Sequence, residues 1–586
     1  MRLGKQVRPR RLSAALVAVC AGMYSNAGQA ITFTLPWSDE ETIEGVLNTT
    51  ITAGAQWRLK NPSSDLIGKS NLNPDLCGRS ATGRPFYQSC QGLFRTQIFP
   101  AQRLVDAPGQ FSLNADDGNL NYAKGDITQA PVKLTQDLTL TLGNFGFFAK
   151  TLFFYDFINN DFTETHPNRI TSENVDRVGN ISNSSTDDTP RTDSRPCPAD
   201  RNPGGGPCGI VYGAGALVRS ERTDKEVLRQ IGTDLQILDA YFYGTLPLPF
   251  EKELTFKIGR QSVNWGESTL LVFDSVNQAN PINANNFFRV GFQVEEVFTP
   301  VGMVFLSTEP FTNTTLEGFY QLEWMPLEAP APGSFFSFLD AGTNNAINHF
   351  NISFGGAAED PERLGRLLDN PLSGLTNTTS TGLRLPDNEP DAAGQFGVSL
   401  RYYAEWLNNG TELGLYYMNY HSRSPFVSFF STEQSCAKNT TTTAEFLASC
   451  PDIPTLHQGN DPEGATDSAV HFDTLRLLLE YPENIQLIGA SFNTTLGDFS
   501  IQGEVAYRPR APLQVDLEDL AFAAFAPTLS NCHVAPGCAG TGGALVGGVG
   551  TFPDGSTGVY PSSDYVIDAA GRRARSTTPM TWPWAT

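Results

Sequence analysis

The feature that most constrains this chain is an alternation of apolar and polar residues with a period of two, which recurs along most of its length. In the run from 134 to 142, LTQDLTLTL, every leucine falls on one face of an extended chain, while threonines and an aspartate fall on the other. Such alternation predicts a β-strand with one apolar and one wet face. Comparable runs begin near positions 47, 145, 316, 396, 413, 485 and 499. We therefore expect an all-β fold.

The connections between these runs are alternately very short and very long. A strand at 475–479 is expected to turn through 482–484, Pro-Glu-Asn, into the next strand. We predict about eleven or twelve strands, the first over 47–59 and the last clear one ending near Tyr507. Other turns that favour tight hairpins are Gly143-Asn144, Asn409-Gly410 and Gly497-Asp498. Long connections are expected at about 60–130, 158–232, 325–394 and 422–470.

Short and long connections at alternate ends are typical of an antiparallel transmembrane β-barrel with long extracellular loops. Its strands run about 9 to 11 residues, and aromatic residues gather at the two membrane interfaces. A soluble β-sandwich or β-helix also shows alternation, but with shorter strands and more even connections. The aromatic residues that fit such interface girdles are Trp57, Tyr155, Trp324, Trp406 and Tyr507.

The N-terminus indicates export. Basic residues precede an apolar run over 12–23, and small residues follow at 28–30, so residues 1–30 are predicted to be a signal peptide. A lipoprotein is the alternative, because Cys20 lies in this run, but Val19 before it is larger than the usual small residue. We expect the mature chain to begin near Ile31 and to reside in the outer membrane of a Gram-negative bacterium.

The alternation ends after Val515. The Gly/Ala-rich sequence of 516–586 finishes in AAGRRARSTTPMTWPWAT, where basic residues cluster, whereas a bacterial barrel normally finishes on a strand. We therefore divide the chain into an outer-membrane β-barrel at 31–515 and a tail at 516–586. The hypothesis is that this tail is truncated or non-native and that the barrel is incomplete at its C-terminus.

The cysteines also agree with export. Of nine cysteines, eight follow the predicted signal, and neighbours in sequence lie within Gly-, Pro-, Asn- and Ser-rich stretches. Although eight thiols allow 105 pairings, four local disulfides that staple loops are the economical interpretation. Metal binding is the rival, but the chain has no CxxC spacing. The predicted pairs are Cys77 with Cys90, Cys197 with Cys208, Cys436 with Cys450, and Cys532 with Cys538.

Charge and motifs exclude several functions. The net charge of −22 opposes binding to nucleic acid, whose phosphates would repel it. The sequence contains neither a GxSxG elbow nor an HExxH motif, and its six histidines are scattered. We expect no enzymatic activity, no cofactor and no metal.

The stretch from 254 to 288 stands out because it begins as a strand and then becomes polar. In a barrel it is predicted to leave the wall at about Ser262 and to fold into the lumen. Charged side chains removed from bulk water must find partners there. The amide of Asn264 and the indole of Trp265 are the groups expected to contact a ligand. Either the stretch contacts ligand as a gate, or it is a scaffold that fixes the pore shape. The candidates are Arg260, Asn264, Trp265, Glu267, Asp274, Arg289 and Glu295, with Glu296 beside the last.

Several motifs resemble an uncharacterised proteobacterial domain-of-unknown-function family of outer-membrane β-barrel proteins. They include NTTITAGAQWRL, LTFKIGRQSVNWGESTLL and YPENIQLIGASFNTTLGDFSIQGEVAYRPRAPLQ, and the resemblance covers roughly 45–515. Members of the family are broadly similar to long-chain fatty-acid transporters. The resemblance implies handling of hydrophobic molecules, together with a periplasmic lipid carrier and an RND-type transporter. A barrel also implies contact with membrane lipid and with the outer-membrane assembly machinery.

Two functions remain open. A conduit for a lipid, sterol, hydrocarbon or aromatic compound should have a partly apolar lumen, and the run from 145 to 157 is apolar on both faces. The alternative explanation of that run is an internal plug that packs on it. A surface adhesin or a structural outer-membrane protein without transport activity is the second function, which the long stapled loops favour.

Overall fold

The computed structural model describes residues 30–37, 41–74, 106–174, 215–268, 275–340, 348–352, 358–362, 381–430 and 475–517, together with Leu520, Ala524 and four short strands between 549 and 575. One predicted site residue, Asp274, lies outside the described residues. The predicted disulfide cysteines also lie outside them: Cys77, Cys90, Cys197, Cys208, Cys436, Cys450, Cys532 and Cys538.

Twelve strands form one antiparallel sheet in which each strand pairs with its neighbours in sequence. This confirms the predicted all-β, antiparallel architecture. The strands are β1 (Ile31–Pro36), β2 (Thr42–Ala53), β3 (Pro131–Leu142), β4 (Phe145–Asp156), β5 (Thr233–Leu248), β6 (Lys252–Gln261), β7 (Val301–Phe311), β8 (Thr314–Gln321), β9 (Phe396–Ala404), β10 (Thr411–Tyr420), β11 (Ile485–Leu496) and β12 (Phe499–Tyr507). Among the described residues, β1 pairs only with β2, and β12 only with β11.

Short turns and long connections lie at opposite ends of this sheet. At the short end, Gly143 and Gly497 begin two-residue turns with φ of +56° and +61°, a conformation that glycine adopts without steric penalty. At the other end the chain makes five long connections, and the sites below are built from them. These connections are 54–130, 157–232, 262–300, 322–395 and 421–484.

The outer face of the sheet is apolar and exposed. Val398 and Leu400 of β9 are 43% and 40% exposed, and Leu413 and Leu415 of β10 are 40% and 59% exposed. Ser399, which lies between the first two, is buried on the other face, here called the inner face. An outward apolar band with alternating inward residues is the pattern of a transmembrane barrel wall.

The first long strand is shorter than predicted. β2 ends at Ala53 and does not continue to Leu59. At the next residue, Gly54, Val290 of the 262–300 connection lies where a Cβ would be. Gln56–Trp57 instead pairs with Ile127–Gln129. A glycine inside an alternating run here marks the close approach of another segment.

The prediction that 475–479 forms a wall strand was wrong. Arg476–Glu480 belongs to a separate four-stranded sheet with His349–Asn351, Thr381–Arg384 and Phe426–Phe430. Leu477 and Leu479 on one face of this strand are buried and Leu478 on the other face is half-buried, so the strand suits a sheet covered on both sides better than a wall. The buried cluster around it contains Phe350, Ile352, Phe429, Leu475, Leu477, Leu479, Leu520 and Ala524.

The remaining elements are short. Trp324, which was predicted for an interface girdle, lies beyond the end of β8 and donates from Nε1 to the Ser422 carbonyl at 3.2 Å. No helix within the described residues has both the length and the apolar character needed to cross a membrane. The other strands are Thr163–Arg169, Ala216–Glu221, Val549–Thr551, Thr557–Val559, Tyr565–Ile567 and Arg573–Arg575. The helices are Ser64–Leu66, Lys69–Leu72, Asp117–Leu120, Lys225–Val227, Leu228–Gly232, Ala284–Phe288 and Val294–Val297.

Candidate functional site

The 262–300 connection, here called the central excursion, leaves the wall and returns to it between adjacent strands. β6 ends at Gln261, which pairs with Val301 at the start of β7, so the wall strand departs where the sequence predicted. The Asn280 side chain holds the two ends together. Its Oδ1 accepts from the Val263 amide at 2.8 Å, and its Nδ2 donates to the carbonyls of Gln261 and Thr299 at 3.2 and 3.0 Å.

The first part of the excursion packs on the inner face of the sheet. Trp265 is 4% exposed, and its ring centroid lies 5.0 Å from that of Phe319 and 6.0 Å from that of Tyr416. The indole Nε1 donates to Oε2 of Glu317 on β8 at 2.9 Å. The indole is therefore both packed and hydrogen-bonded, as a buried tryptophan requires. The whole cluster, here the lumen cluster, contains Val263, Trp265, Val276, Ala279, Val301, Met303, Phe319, Tyr416, Met418, Tyr420, Ile485 and Leu487.

Glycines on the inner face make room for this packing. A Cβ at Gly397 of β9 would lie 2.7 Å from Cζ3 of Trp265, and one at Gly489 of β11 would lie 2.7 Å from Cγ2 of Val276. The excursion therefore occupies space that wall side chains would otherwise fill. The sequence analysis did not single out these glycines, although glycine inside a strand is a signal of close approach.

Replacing Gly397 by alanine should destabilise the protein by about 1–3 kcal/mol, because the new methyl group overpacks against Trp265 and Phe319, both of which are buried. Denaturant unfolding in lipid vesicles measures the effect. Gly318→Ala is the matched control on β8, since a Cβ at Gly318 would lie 3.5 Å from the Gly397 carbonyl oxygen, an ordinary van der Waals distance. Equal losses in the two variants would show that the indole does not fill the space beside Gly397.

A carboxylate on the last wall strand holds the polar corner of the excursion. Glu504 of β12 accepts from the amides of Glu267, Ser268 and Val276 at 2.7, 3.2 and 3.2 Å. A side chain on Gly266 would collide with Glu504, and the φ of +86° at Gly266 favours glycine as well. This carboxylate was missed by the sequence analysis, because nothing local connects it with residues more than 200 positions earlier.

The second part of the excursion contacts strands near the other edge of the sheet, also on the inner face. Lys133 on β3 donates from Nζ to Oε2 of Glu296 at 2.5 Å and to the Gly291 carbonyl at 2.7 Å. The carbon Cζ of Arg289 lies 3.5 Å from the ring centroid of Phe154 on β4. The apolar inner face of β4 is therefore covered by the excursion. Burial lowers the pKa of Arg289 to about 10.

The predicted site residues do not converge on one point. Arg260 pairs with Glu323 at 3.1 Å, whereas Arg289 donates to the Gln230 carbonyl at 2.8 Å, far along the excursion. Glu295 is exposed, and its neighbour Glu296 is the residue that pairs with Lys133. The two carboxylates point differently because they are adjacent in the helix Val294–Val297, so only one can face the wall.

The polar candidates near Trp265 form hydrogen bonds within the excursion and to the adjoining wall strand β11. Asn264 is exposed and accepts from Nδ2 of Asn277 at 2.6 Å. The Glu267 carboxylate accepts from Asn493 at 3.1 Å and from Ser491 at 3.4 Å, both on β11. These contacts hold the excursion to the wall. They also leave the Glu267 carboxylate only half-buried.

Arg423 is a further buried cation on the inner side that was not predicted. Arg423, from the 421–484 connection, is 6% exposed and donates to Oε1 of Gln321 at 2.6 Å and to the Ala279 carbonyl at 3.2 Å. Burial lowers its pKa to about 9. It therefore ties a further connection to the excursion and to the end of β8.

A cavity of ≈ 720 Å³ lies beside the excursion, where β6 leaves the wall. β5 continues past the end of β6, so within the described residues 233–237 pair with β4 but not with β6. Leu235 and Ile237, which are 64% and 53% exposed on the outer face, border this cavity. Residues of the inner side and of the excursion also line it, among them Leu238, Arg260, Asn286, Glu296, Phe298, Thr299 and Met325.

Comparison with known proteins gives a family and distant structural likenesses. Comparison with curated proteins gave no match. The ferric enterobactin receptor PfeA of Pseudomonas aeruginosa, solved as a mutant, is 8% identical with a TM-score of 0.23, over 82% of this chain and 50% of that chain. This chain thus spans about half the length of that receptor. A model of the family described as protein of unknown function, DUF1302, matches residues 11–581. The match confirms the resemblance to an uncharacterised family, and the chain belongs to the DUF1302 family.

Proposed function

We propose that this protein is an outer-membrane β-barrel of a Gram-negative bacterium and a conduit for a hydrophobic compound such as a lipid, sterol, hydrocarbon or aromatic molecule. The apolar outer face supports the location, since a contiguous patch of exposed apolar side chains marks contact with a membrane or a partner. The short turns at one end and the long connections at the other support it too. A periplasmic lipid carrier or an RND-type transporter would exchange cargo with the barrel.

The observation that carries the proposal is the cavity at the free edge of β5. Leu235 and Ile237 belong to the outer face, while Leu238 and Phe298 are buried on the inner side, and all four line one cavity. A ligand that moves around this edge stays in contact with apolar side chains. Ligand sites of this kind are concave and largely apolar, with a few polar groups that orient the ligand.

The charged groups around the cavity are partly paired, and acids outnumber bases in its lining, with Glu226, Asp234, Glu296, Glu328, Asp387 and Glu389 against Arg229 and Arg260. Arg229 contacts Glu226 at 2.6 Å, Glu328 at 3.1 Å and Asp234 at 3.4 Å. Arg260 is likewise bound to Glu323. Paired charges leave a weaker field than the single-signed lining that attracts ions into a pore. The acidic balance disfavours an anion, and the apolar part of the lining, which includes Leu235, Ile237 and Leu238, supports an uncharged or amphipathic molecule.

Replacing Thr299 by tryptophan should reduce uptake of hydrophobic compounds to the level of a deletion strain. Thr299 lines the cavity, and the large ring of a tryptophan at this position would project into it and obstruct it. The measurement is accumulation of a panel of lipids, sterols, hydrocarbons and aromatic compounds by cells that express each variant. Thr49→Trp is the matched control, because Thr49 is exposed on β2, away from the cavity.

The panel also separates the second function. If deletion leaves accumulation of every compound unchanged and instead abolishes surface attachment, the protein is an adhesin or a structural component. If Thr49→Trp and Thr299→Trp both assemble and transport normally, the cavity at β5 is not the route. Assembly is followed by the heat-dependent change in gel mobility of folded barrels.

A further inference from the structure

A second buried site lies among the long connections, apart from the central excursion. Asp116 and Asp117 come from the 54–130 connection and Asp340 comes from the 322–395 connection; the three are 0%, 8% and 8% exposed. One carboxylate oxygen from each lies within 4.8 Å of the others. Because carboxylates are rarely buried without partners, three that converge need an explanation.

Two oxygens of this group have no hydrogen-bond partner within the described part of the chain. Oδ2 of Asp116 accepts from the Gly68 amide at 2.7 Å and from Asn71 at 3.0 Å, but Oδ1 of Asp116 accepts from nothing, and neither does Oδ1 of Asp340. Both atoms are buried. Oδ1 of Asn71, beside them, is a third buried acceptor without a donor.

The surroundings leave room for a ligand and an excess of negative charge. A cavity of ≈ 40 Å³ is lined by Asp117, Asp340 and Glu359, and a water needs only about 10–15 Å³ of such space. Arg169 binds Glu359 at 3.0 Å, and His166 lies 3.4 Å from Asp117. These two groups pair with Glu359 and Asp117, and within the described part of the chain no cation forms an ion pair with Asp116 or Asp340.

The packing of these acids is unfavourable as it stands, because three buried carboxylates lie within 4.8 Å of one another and like charges at such distances repel. A bound cation would offset this repulsion.

We propose that Asp116, Asp117 and Asp340 bind a calcium ion that ties two long connections together beside His166 of a third. The oxygens that are available as metal ligands belong to carboxylates and to an amide. Calcium prefers such oxygens and binds them at about 2.3–2.6 Å. Two oxygens at that distance on opposite sides of one ion lie up to about 4.6–5.2 Å apart, which suits the observed spacing. Zinc would favour nitrogen or sulfur donors. The proposal does not depend on the proposed conduit.

Calcium titration of the folded, EGTA-treated full chain tests the site. We expect a single class of site for CaCl₂, with a dissociation constant on the order of 10⁻⁴–10⁻³ M as in extracellular modules, and a higher unfolding temperature in calcium than in EGTA. Asp340→Asn and Asp116→Asn should each abolish the calcium response. In EGTA both variants should be at least as stable as the wild type, because one repelling charge is gone.

Asp161→Asn is the matched control, because Asp161 is an exposed acid of the 157–232 connection and should leave the response unchanged. MgCl₂ and ZnCl₂ are titrated in parallel. A wild type that binds no calcium, or an Asp340→Asn variant that binds it as tightly as the wild type, overturns the proposal. Tighter binding of zinc than of calcium overturns the choice of ion and points to His166 as a ligand.

Discussion

Replacing Lys133 by methionine should lower the free energy of unfolding by about 3–5 kcal/mol, because it leaves the Glu296 carboxylate buried without its charge partner. The two side chains are 1% and 0% exposed, and their ion pair joins the wall strand β3 to the central excursion. Thr135 contacts the same carboxylate at 3.4 Å and is uncharged, so it cannot replace the lysine. Denaturant unfolding in lipid vesicles, followed by tryptophan fluorescence, measures the loss.

A second substitution shows whether the loss of stability comes from an unpaired buried charge or from lost packing. In the double variant Lys133→Met/Glu296→Gln most of the stability should return, since neither side chain is then charged. Lys124→Met is the control for removal of a positive charge, because Lys124 is exposed in the 54–130 connection. A loss below about 1 kcal/mol for Lys133→Met, the size of a surface ion pair, would contradict the buried pair.

Replacing Trp265 by alanine should cost about 3–5 kcal/mol and impair barrel assembly, because it empties the centre of the lumen cluster. Trp265→Phe keeps a ring beside Phe319 and Tyr416 but removes the Nε1 hydrogen bond to Glu317. It should cost no more than about 1–3 kcal/mol. Heat-dependent gel mobility and unfolding in vesicles report both effects.

Glu267→Ala separates gate from scaffold. The backbone amide of Glu267 holds the excursion to Glu504, so removing the carboxylate leaves that anchor in place. We therefore expect normal assembly with altered permeability for Glu267→Ala, in contrast to Trp265→Ala. If both variants fail to assemble, the whole stretch is a scaffold. If both assemble and transport as the wild type does, neither side chain is a gate.

The wall was predictable because its signals are local. Alternation in 134–142 and the Gly143-Asn144 turn depend only on neighbouring residues, and the structure has a hairpin there. The departure of the chain near Ser262 was predictable for the same reason, since the sequence changes from alternating to polar at that point. The strand at 475–479 was placed wrongly because alternation cannot tell which sheet a strand joins.

The partners inside the sheet were not predictable. Lys133 meets Glu296, and Glu504 meets Glu267, only because the curvature and register of twelve strands bring distant segments together. The same is true of Asp116 and Asp340, whose connections leave different hairpins. Glycine gave the one available hint, since Gly397 lies at an inner position of β9 where a side chain would collide with Trp265.

The central excursion touches Lys133 of β3 with its second part and Glu504 of β12 with its first, so one stretch of chain runs across the inside of the sheet from near one edge to near the other. Its length acts as an internal spacer between those two strands. Lengthening a turn such as 143–144 would alter a single hairpin. One residue inserted between 276 and 283 would instead change the spacing between β3 and β12 across the inner face, so that spacing depends on this connection as well as on the number of strands.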